Sequence, residues 1–207
     1  MNNKSIGFFD SGIGGITIFN SIIKLLPNEN TIYLADSINS PYGKKSNDEL
    51  IKICKKNVEF LINSGCKLIV IACNTATTNS ISYLRQNYKI PFIGIEPAIK
   101  PAALNTKTGK IGVLATKGTF GSNLFEKTST LHGQNIEIIE KQVNGLVELI
   151  EKGIFSGSKI DILLEKYITP MINIGIDKLV LGCTHYPLVI NSIEKITKKT
   201  IEVIECS

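Results

Sequence analysis

The chain has 207 residues, 43% apolar and 20% charged, with a net charge of +5. That length allows one ordinary domain or two small ones, each with its own core, and the composition excludes disordered and fibrous chains. Apolar runs stop well short of the roughly 18–20 residues of a membrane span, and MNNKSIGFFDSG lacks a secretory h-region, so a cytoplasmic protein is expected, with no membrane partner. Arg85 is the only arginine among 23 basic residues, and the lysines are scattered, which argues against nucleic acid as a partner. Lys44-Lys45, Lys55-Lys56 and Lys198-Lys199 read as solvated helix faces. With two histidines, His132 and His185, and no CxxC pair, no metal site is expected. Five cysteines without an export signal read as reduced thiols.

In chain order, IGFFD at 6–10 reads as a strand, followed by a helix over 14–26 that stops near Pro27. TIYLAD at 31–36 is a second strand. A helix opens at Ser46, with Glu49 completing a capping box and Leu50, Ile53, Cys54, Val58 and Leu61 on one face. LIVIA at 68–72, a helix over about 76–88 and FIGI at 92–95 follow. Further strands are IGVLA at 111–115, IEIIE at 136–140, LVLG at 179–182 and IEVI at 201–204, with helices between them. Short β-branched runs alternating with helices imply an α/β fold of mostly parallel sheets.

The second series repeats the first at a nearly constant interval. Ile6–Ser11 matches Ile111–Thr116, the strand leading to Cys73 matches the strand leading to Cys183, and Phe92–Glu96 matches Ile201–Glu205. Two pseudo-symmetric α/β domains are expected, residues 1–97 and 98–207, each presenting one cysteine where a buried strand ends. Ligands of parallel sheets bind beyond the carboxyl ends of strands, which would place Cys73 and Cys183 across one cleft. Polar neighbours, Asn74-Thr75 and Thr184-His185, set these two thiols apart from Cys54, Cys66 and Cys206, which read as structural. The turn Asp10-Ser11-Gly12-Ile13-Gly14-Gly15 lies between a strand and a helix. Its backbone amides and Ser11 suit a carboxylate better than a nucleotide, because its glycines fit neither GxGxxG nor GxxxxGK[ST].

FDSGIGG at 9–15, SPYGKKS at 40–46, ACNTA at 72–76, GIEPAIKPA at 94–102, GVLATKGT at 112–119 and LGCTHYPL at 181–188 together resemble the glutamate racemase family over essentially the whole chain. The resemblance implies a cofactor-independent racemase that interconverts L- and D-glutamate and supplies D-glutamate for peptidoglycan. Inverting an α-carbon requires one group to take a proton from one face and another to return one on the opposite face, and a pair of thiols can do both. From the family, Cys73 and Cys183 are the acid/base pair, Asp10 assists Cys73, and His185 and Glu151 assist Cys183. The substrate contacts implied are Asp10, Ser11, Tyr42, Gly43, Asn74, Thr75, Thr184 and His185, with Thr116 and Thr119 weaker. Helix-face solvation is the plain alternative for Glu151, and a satisfied core position is the alternative for His185.

Two features depart from the family pattern. Relatives normally continue past the last strand with a segment that folds back on the first half, whereas this chain stops at Glu205-Cys206-Ser207, so exposed apolar surface on the first half is expected. Val143-Asn144-Gly145 stands where the family usually has Cys-Pro. The rival readings keep the fold and change the substrate, to aspartate or to that of another two-thiol relative such as a maleate isomerase, or keep the cleft and drop the chemistry, as in an amino-acid-binding clamp. A pyridoxal-phosphate racemase would differ by a visible Schiff-base absorbance. Glutamate is the expected partner, and the reading leaves room for a homodimer.

Overall fold

The computed structural model describes residues 4–206. Its first half contains β1 (Ile6–Asp10), α1 (Ile16–Leu25), β2 (Thr31–Ala35), α2 (Asn47–Asn63), β3 (Leu68–Ile71), α3 (Asn74–Asn87) and β4 (Phe92–Gly94). These strands form one parallel sheet in the order β2-β1-β3-β4, with Phe8 in register with Tyr33 on one side and Val70 on the other. Ser46 and Glu49 form the capping box that starts α2. Between β2 and α2 the chain makes two single 3-10 turns, Ser37–Asn39 and Tyr42–Lys44.

The second half contains α4 (Ile99–Asn105), β5 (Lys110–Ala115), α5 (Lys117–Phe120), α6 (Asn123–His132), β6 (Glu137–Gln142), α7 (Leu146–Glu151), α8 (Ser158–Ile174), β7 (Lys178–Gly182), α9 (Ile190–Thr197) and β8 (Glu202–Ile204). Its parallel sheet runs β6-β5-β7-β8, the same order as the first with every strand replaced by its counterpart. In each half the third strand in sequence lies beside the first, and a cysteine follows that third strand.

Alternation along the strands distributes the core. Ile69 and Ile71 point to α2 and α3, with Phe9, Leu50, Val58, Leu61 and Leu84. Val70 and Ala72 point the other way, with Ile6, Phe8 and Ile18, and α1 is the helix that packs there, through Ile18, Phe19 and Ile22. This second face is thinly covered, since Tyr33, Leu68 and Ile95 are only partly buried and Ile93 is 47% exposed. The second sheet is covered on both faces, by α7, α8 and α9 on one and by α4 and α6 on the other. No helix among the described residues is long and apolar enough to cross a membrane.

Two local expectations need correction. α3 starts at Asn74, not near 76, because the Cys73 sulfur accepts from the Ala76 backbone N–H at 3.5 Å and takes the capping role usually held by a hydroxyl or carboxylate. Lys44 is on a 3-10 turn and pairs with Glu148 of the other half at 2.5 Å, while Lys198 and Lys199 have positive φ at the end of α9, so neither run is a helix face.

Candidate active site

β1 delivers Asp10 to the carboxyl edge of the first sheet, where it is completely buried. One carboxylate oxygen accepts from the Gly12 N–H at 2.9 Å, and the other accepts from the Thr184 hydroxyl of the second half at 3.1 Å. Burial raises the Asp10 pKa, against the charge of His185 and the Gly12 and Thr184 hydrogen bonds. β3 delivers Cys73 to the same edge, with Ser11 Oγ 3.9 Å from its sulfur. Burial pushes the Cys73 thiol well above its ordinary value, and the nearby Asp10 charge adds to this.

β7 delivers Cys183, whose sulfur lies 3.7 Å from His185 Nδ1. The opposite ring nitrogen, Nε2, is 2.5 Å from Glu151 Oε1. That carboxylate oxygen also accepts from the Ile13 backbone N–H at 3.0 Å, so Glu151 of α7 is fixed by the first half as well. Burial works against the imidazolium charge, but the hydrogen bonds to Cys183 and Glu151 outweigh it and raise His185 to about 10. Glu151 is correspondingly lowered by the His185 hydrogen bond. With Nε2 held on the carboxylate, Nδ1 faces the sulfur, as an acceptor in the neutral ring and a donor in the charged one.

Both thiols line a single narrow cavity between the halves, together with Ser11, Asn74, Thr75, Thr116, Thr184 and His185. Pro41, Tyr42, Gly43 and Val147 close it, and neither lysine nor arginine is among its lining residues. Hydroxyls from both halves meet here: Thr75 Oγ1 is 2.8 Å from Thr116 Oγ1 and 3.1 Å from Thr119 Oγ1. Asn74 donates to the Ile95 carbonyl at 3.1 Å, which leaves its buried side-chain oxygen without a protein partner. Such an acceptor at a polar cavity suits an ammonium donor.

Of the residues expected at the site, Asp10, Thr119 and Glu151 stand behind the cavity wall rather than on it. The turn after β1 also differs from expectation. Its Gly12 and Ile13 amides are taken by the protein's own carboxylates, Asp10 and Glu151, which leaves Ser11 as the residue of that turn lining the cavity. The Tyr42 hydroxyl is engaged in a buried hydrogen bond with Asp36, so it is held by the protein and not offered to the cavity that Tyr42 lines. Val147 was not foreseen, and nothing in an apolar position of a short helix marks it as a lining residue. Cys206 donates to the Leu181 carbonyl at 3.1 Å, and burial raises it to about 11; Cys54 and Cys66 are packed in the first core.

A doubly repeated α/β fold with paired thiols in the intervening cleft defines the class to which comparison then gives a name. Residues 22–206 match the family described as Asp/Glu/Hydantoin racemase, and the chain belongs to that family. A glutamate racemase from Clostridium perfringens is 42% identical over all of this chain and 80% of its own length. Among solved structures, glutamate racemase isoform RacE1 from Bacillus anthracis is 33% identical with a TM-score of 0.88, over 100% of this chain and 78% of that one. Glutamate racemase from Francisella tularensis in complex with D-glutamate is 34% identical with a TM-score of 0.84, over 99% and 76%. The chain thus spans about four-fifths of the length of such relatives.

Proposed function

We propose that the chain is a glutamate racemase that interconverts L- and D-glutamate through Cys73 and Cys183, without a cofactor or metal. The observation that carries this reading is the pair of thiols, one from the third strand of each half, on the wall of a single cavity. Starting from one enantiomer, one cysteine as thiolate removes the α-proton and becomes a thiol. The electron pair left on the α-carbon delocalises into the carboxylate, and the other cysteine, entering as a thiol, delivers its proton to the opposite face and ends as thiolate. The reverse reaction exchanges the two roles. His185, oriented by Glu151, holds the Cys183 proton at Nδ1 when that thiol ionises. Asp10 acts beside Cys73 from behind the wall.

Neutral donors hold the substrate in this reading. Ser11, Thr75, Thr116, Thr184 and the Tyr42 and Gly43 backbone take its carboxylates, and the free Asn74 oxygen takes its ammonium. Residues 1–97 and 98–207 are the two units that close on it. The product D-glutamate serves peptidoglycan synthesis, and the enzyme works in the cytoplasm. A homodimer covering the thin face of the first sheet belongs to the same reading and is measured by sedimentation.

The deciding experiment incubates purified protein with L-glutamate in D2O, without additions, and follows α-deuteration and the appearance of D-glutamate. Both are expected. A folded sample that binds glutamate but catalyses neither would make the chain a clamp, and faster turnover of aspartate or maleate would move it to another substrate.

A further inference from the structure

The buried face of α2 reads Leu50, Cys54, Asn57, Val58 and Leu61, a stripe of packing residues broken by one amide. A buried amide on such a stripe is costly unless bonded. Asn57 Nδ2 donates to the Tyr42 hydroxyl at 2.9 Å and lies 3.3 Å from Asp36 Oδ2. The Tyr42 hydroxyl donates to the same Asp36 oxygen at 2.5 Å, and Asn39 Nδ2 reaches both Asp36 oxygens at 2.8 and 3.0 Å. Asp36 is itself anchored, its backbone N–H donating to the Asp10 carbonyl at 2.9 Å. Among the described residues no ion pair reaches Asp36, and its carboxylate is held by neutral donors one layer behind the cavity.

That layer supports the segment Pro41-Tyr42-Gly43, which lines the cavity opposite Thr116. The fit there is close: a Cβ on Gly43 would lie 2.6 Å from the Thr116 Cβ, and one on Gly118 would lie 3.3 Å from the Gly43 Cα. Small movements of this segment change the shape of the substrate space; the Tyr42 ring shares the first core with Cys73, but the network's hydrogen bonds run among Asp36, Asn39, Tyr42, Asn57 and the Asp10 carbonyl rather than to either thiol.

We propose that Asn57 and Asp36 are positioning residues for substrate binding, which act by pinning the Tyr42 side chain so that the Tyr42 and Gly43 backbone faces the substrate. The proposal rests on the racemase reading. Because it assigns the network to binding rather than to proton transfer, Asn57→Leu should raise KM for glutamate about tenfold while kcat stays within about threefold. Tyr42→Phe, which removes one oxygen from the same network, should do likewise, and the double variant should raise KM no further than either single change. A purely structural role would lower the melting temperature without this split or this non-additivity.

The test measures KM, kcat and, by calorimetry, the glutamate Kd for wild type and the three variants. If Asn57→Leu does not fold, Tyr42→Phe carries the comparison, with Asn57→Ser as its partner in the cycle. A KM and Kd within twofold of wild type in folded variants, a fall confined to kcat, or KM increases that multiply in the double variant would each overturn the proposal. Absence of racemisation in wild type would instead count against the racemase reading, and the Kd comparison would still decide the positioning role.

Discussion

At the residue scale the two thiols are related by the fold but not by their surroundings. Cys73 caps a helix beside Ser11 and the buried Asp10, whereas Cys183 faces an imidazole held by a carboxylate. If they serve opposite faces of one α-carbon, Cys73→Ser and Cys183→Ser should each lower racemisation at least about 10³-fold, since a serine hydroxyl is a poor acid and base near neutral pH. A β-chloro amino-acid analogue needs proton removal from one face only, because chloride departure replaces reprotonation. Each variant should retain elimination with one enantiomer and lose it with the other, in mirror fashion; the same preference in both variants would refute the opposed-thiol mechanism. The His185–Glu151 pair makes a separate prediction about pH. Raised from 6.5 to about 10, His185 stabilises the fold fully below about 6.5 and loses that contribution as pH rises through 10. Glu151, lowered from 4.5, contributes above 4.5 and loses its share as pH falls below it. Glu151→Gln should therefore melt roughly 4–8 °C below wild type near pH 6, from the loss of a charge-assisted hydrogen bond of about 2 kcal/mol. The gap should narrow toward pH 10, and melting curves at stepped pH with a constant gap would refute the assignment.

At the scale of elements, the β1–α1 turn joins the sites on both halves because its glycines let side chains of the second half come close. A Cβ at Gly14 would lie 2.5 Å from His185 Nδ1 and 2.7 Å from Thr184 Oγ1, atoms of two cavity-lining residues of the other half. Gly14→Ala should therefore displace the imidazole and lower kcat/KM about 10²-fold. Gly65, by contrast, follows α2 with φ +81° and open space around it, so Gly65→Ala should cost about 1 kcal/mol of stability through backbone strain and leave activity unchanged. Steady-state rates and melts on the two variants separate these effects, and equal activity losses would show that the turn acts through global stability. The same elements show what a sequence can disclose. All eight strands were legible because β-branched runs bounded by small or polar residues are a local signal, and the start of α2 because its capping box is local too. The start of α3 was not, because a sulfur performs the capping. Neither the inward turn of the Tyr42 phenol nor the contact of Glu151 with Ile13 was legible, since the first depends on Asn57 of α2 and the second joins residues 138 apart.

At the scale of the whole molecule, the bonds that join the halves gather around the cleft. Thr184 reaches Asp10, the Ile13 amide reaches Glu151, the Thr75 hydroxyl meets Thr116 and Thr119, and Asn79 Nδ2 donates to the Gly118 carbonyl at 2.8 Å. The Lys44–Glu148 ion pair adds a contact at the rim, where water and salt screen it. A seam made of buried and part-buried hydrogen bonds, with its one named ion pair at the rim, should respond little to ionic strength but strongly to a ligand that bonds to both sides. Glutamate bound between the halves stabilises the folded chain by RT ln(1 + [L]/Kd), about 2.7 kcal/mol at a hundredfold excess over Kd, or roughly 5–10 °C for a chain of this size. If the ligand bonds to strand ends of both sheets, as proposed, the shift should appear in both halves together. Hydrogen exchange with and without glutamate reads them separately: amides of β3 and β7 should gain protection at the same ligand concentration, and raising the salt should change neither gain much. Protection confined to one sheet would mean that glutamate sits on one half instead of between them, and would remove the basis for assigning a thiol from each half to opposite faces of the substrate.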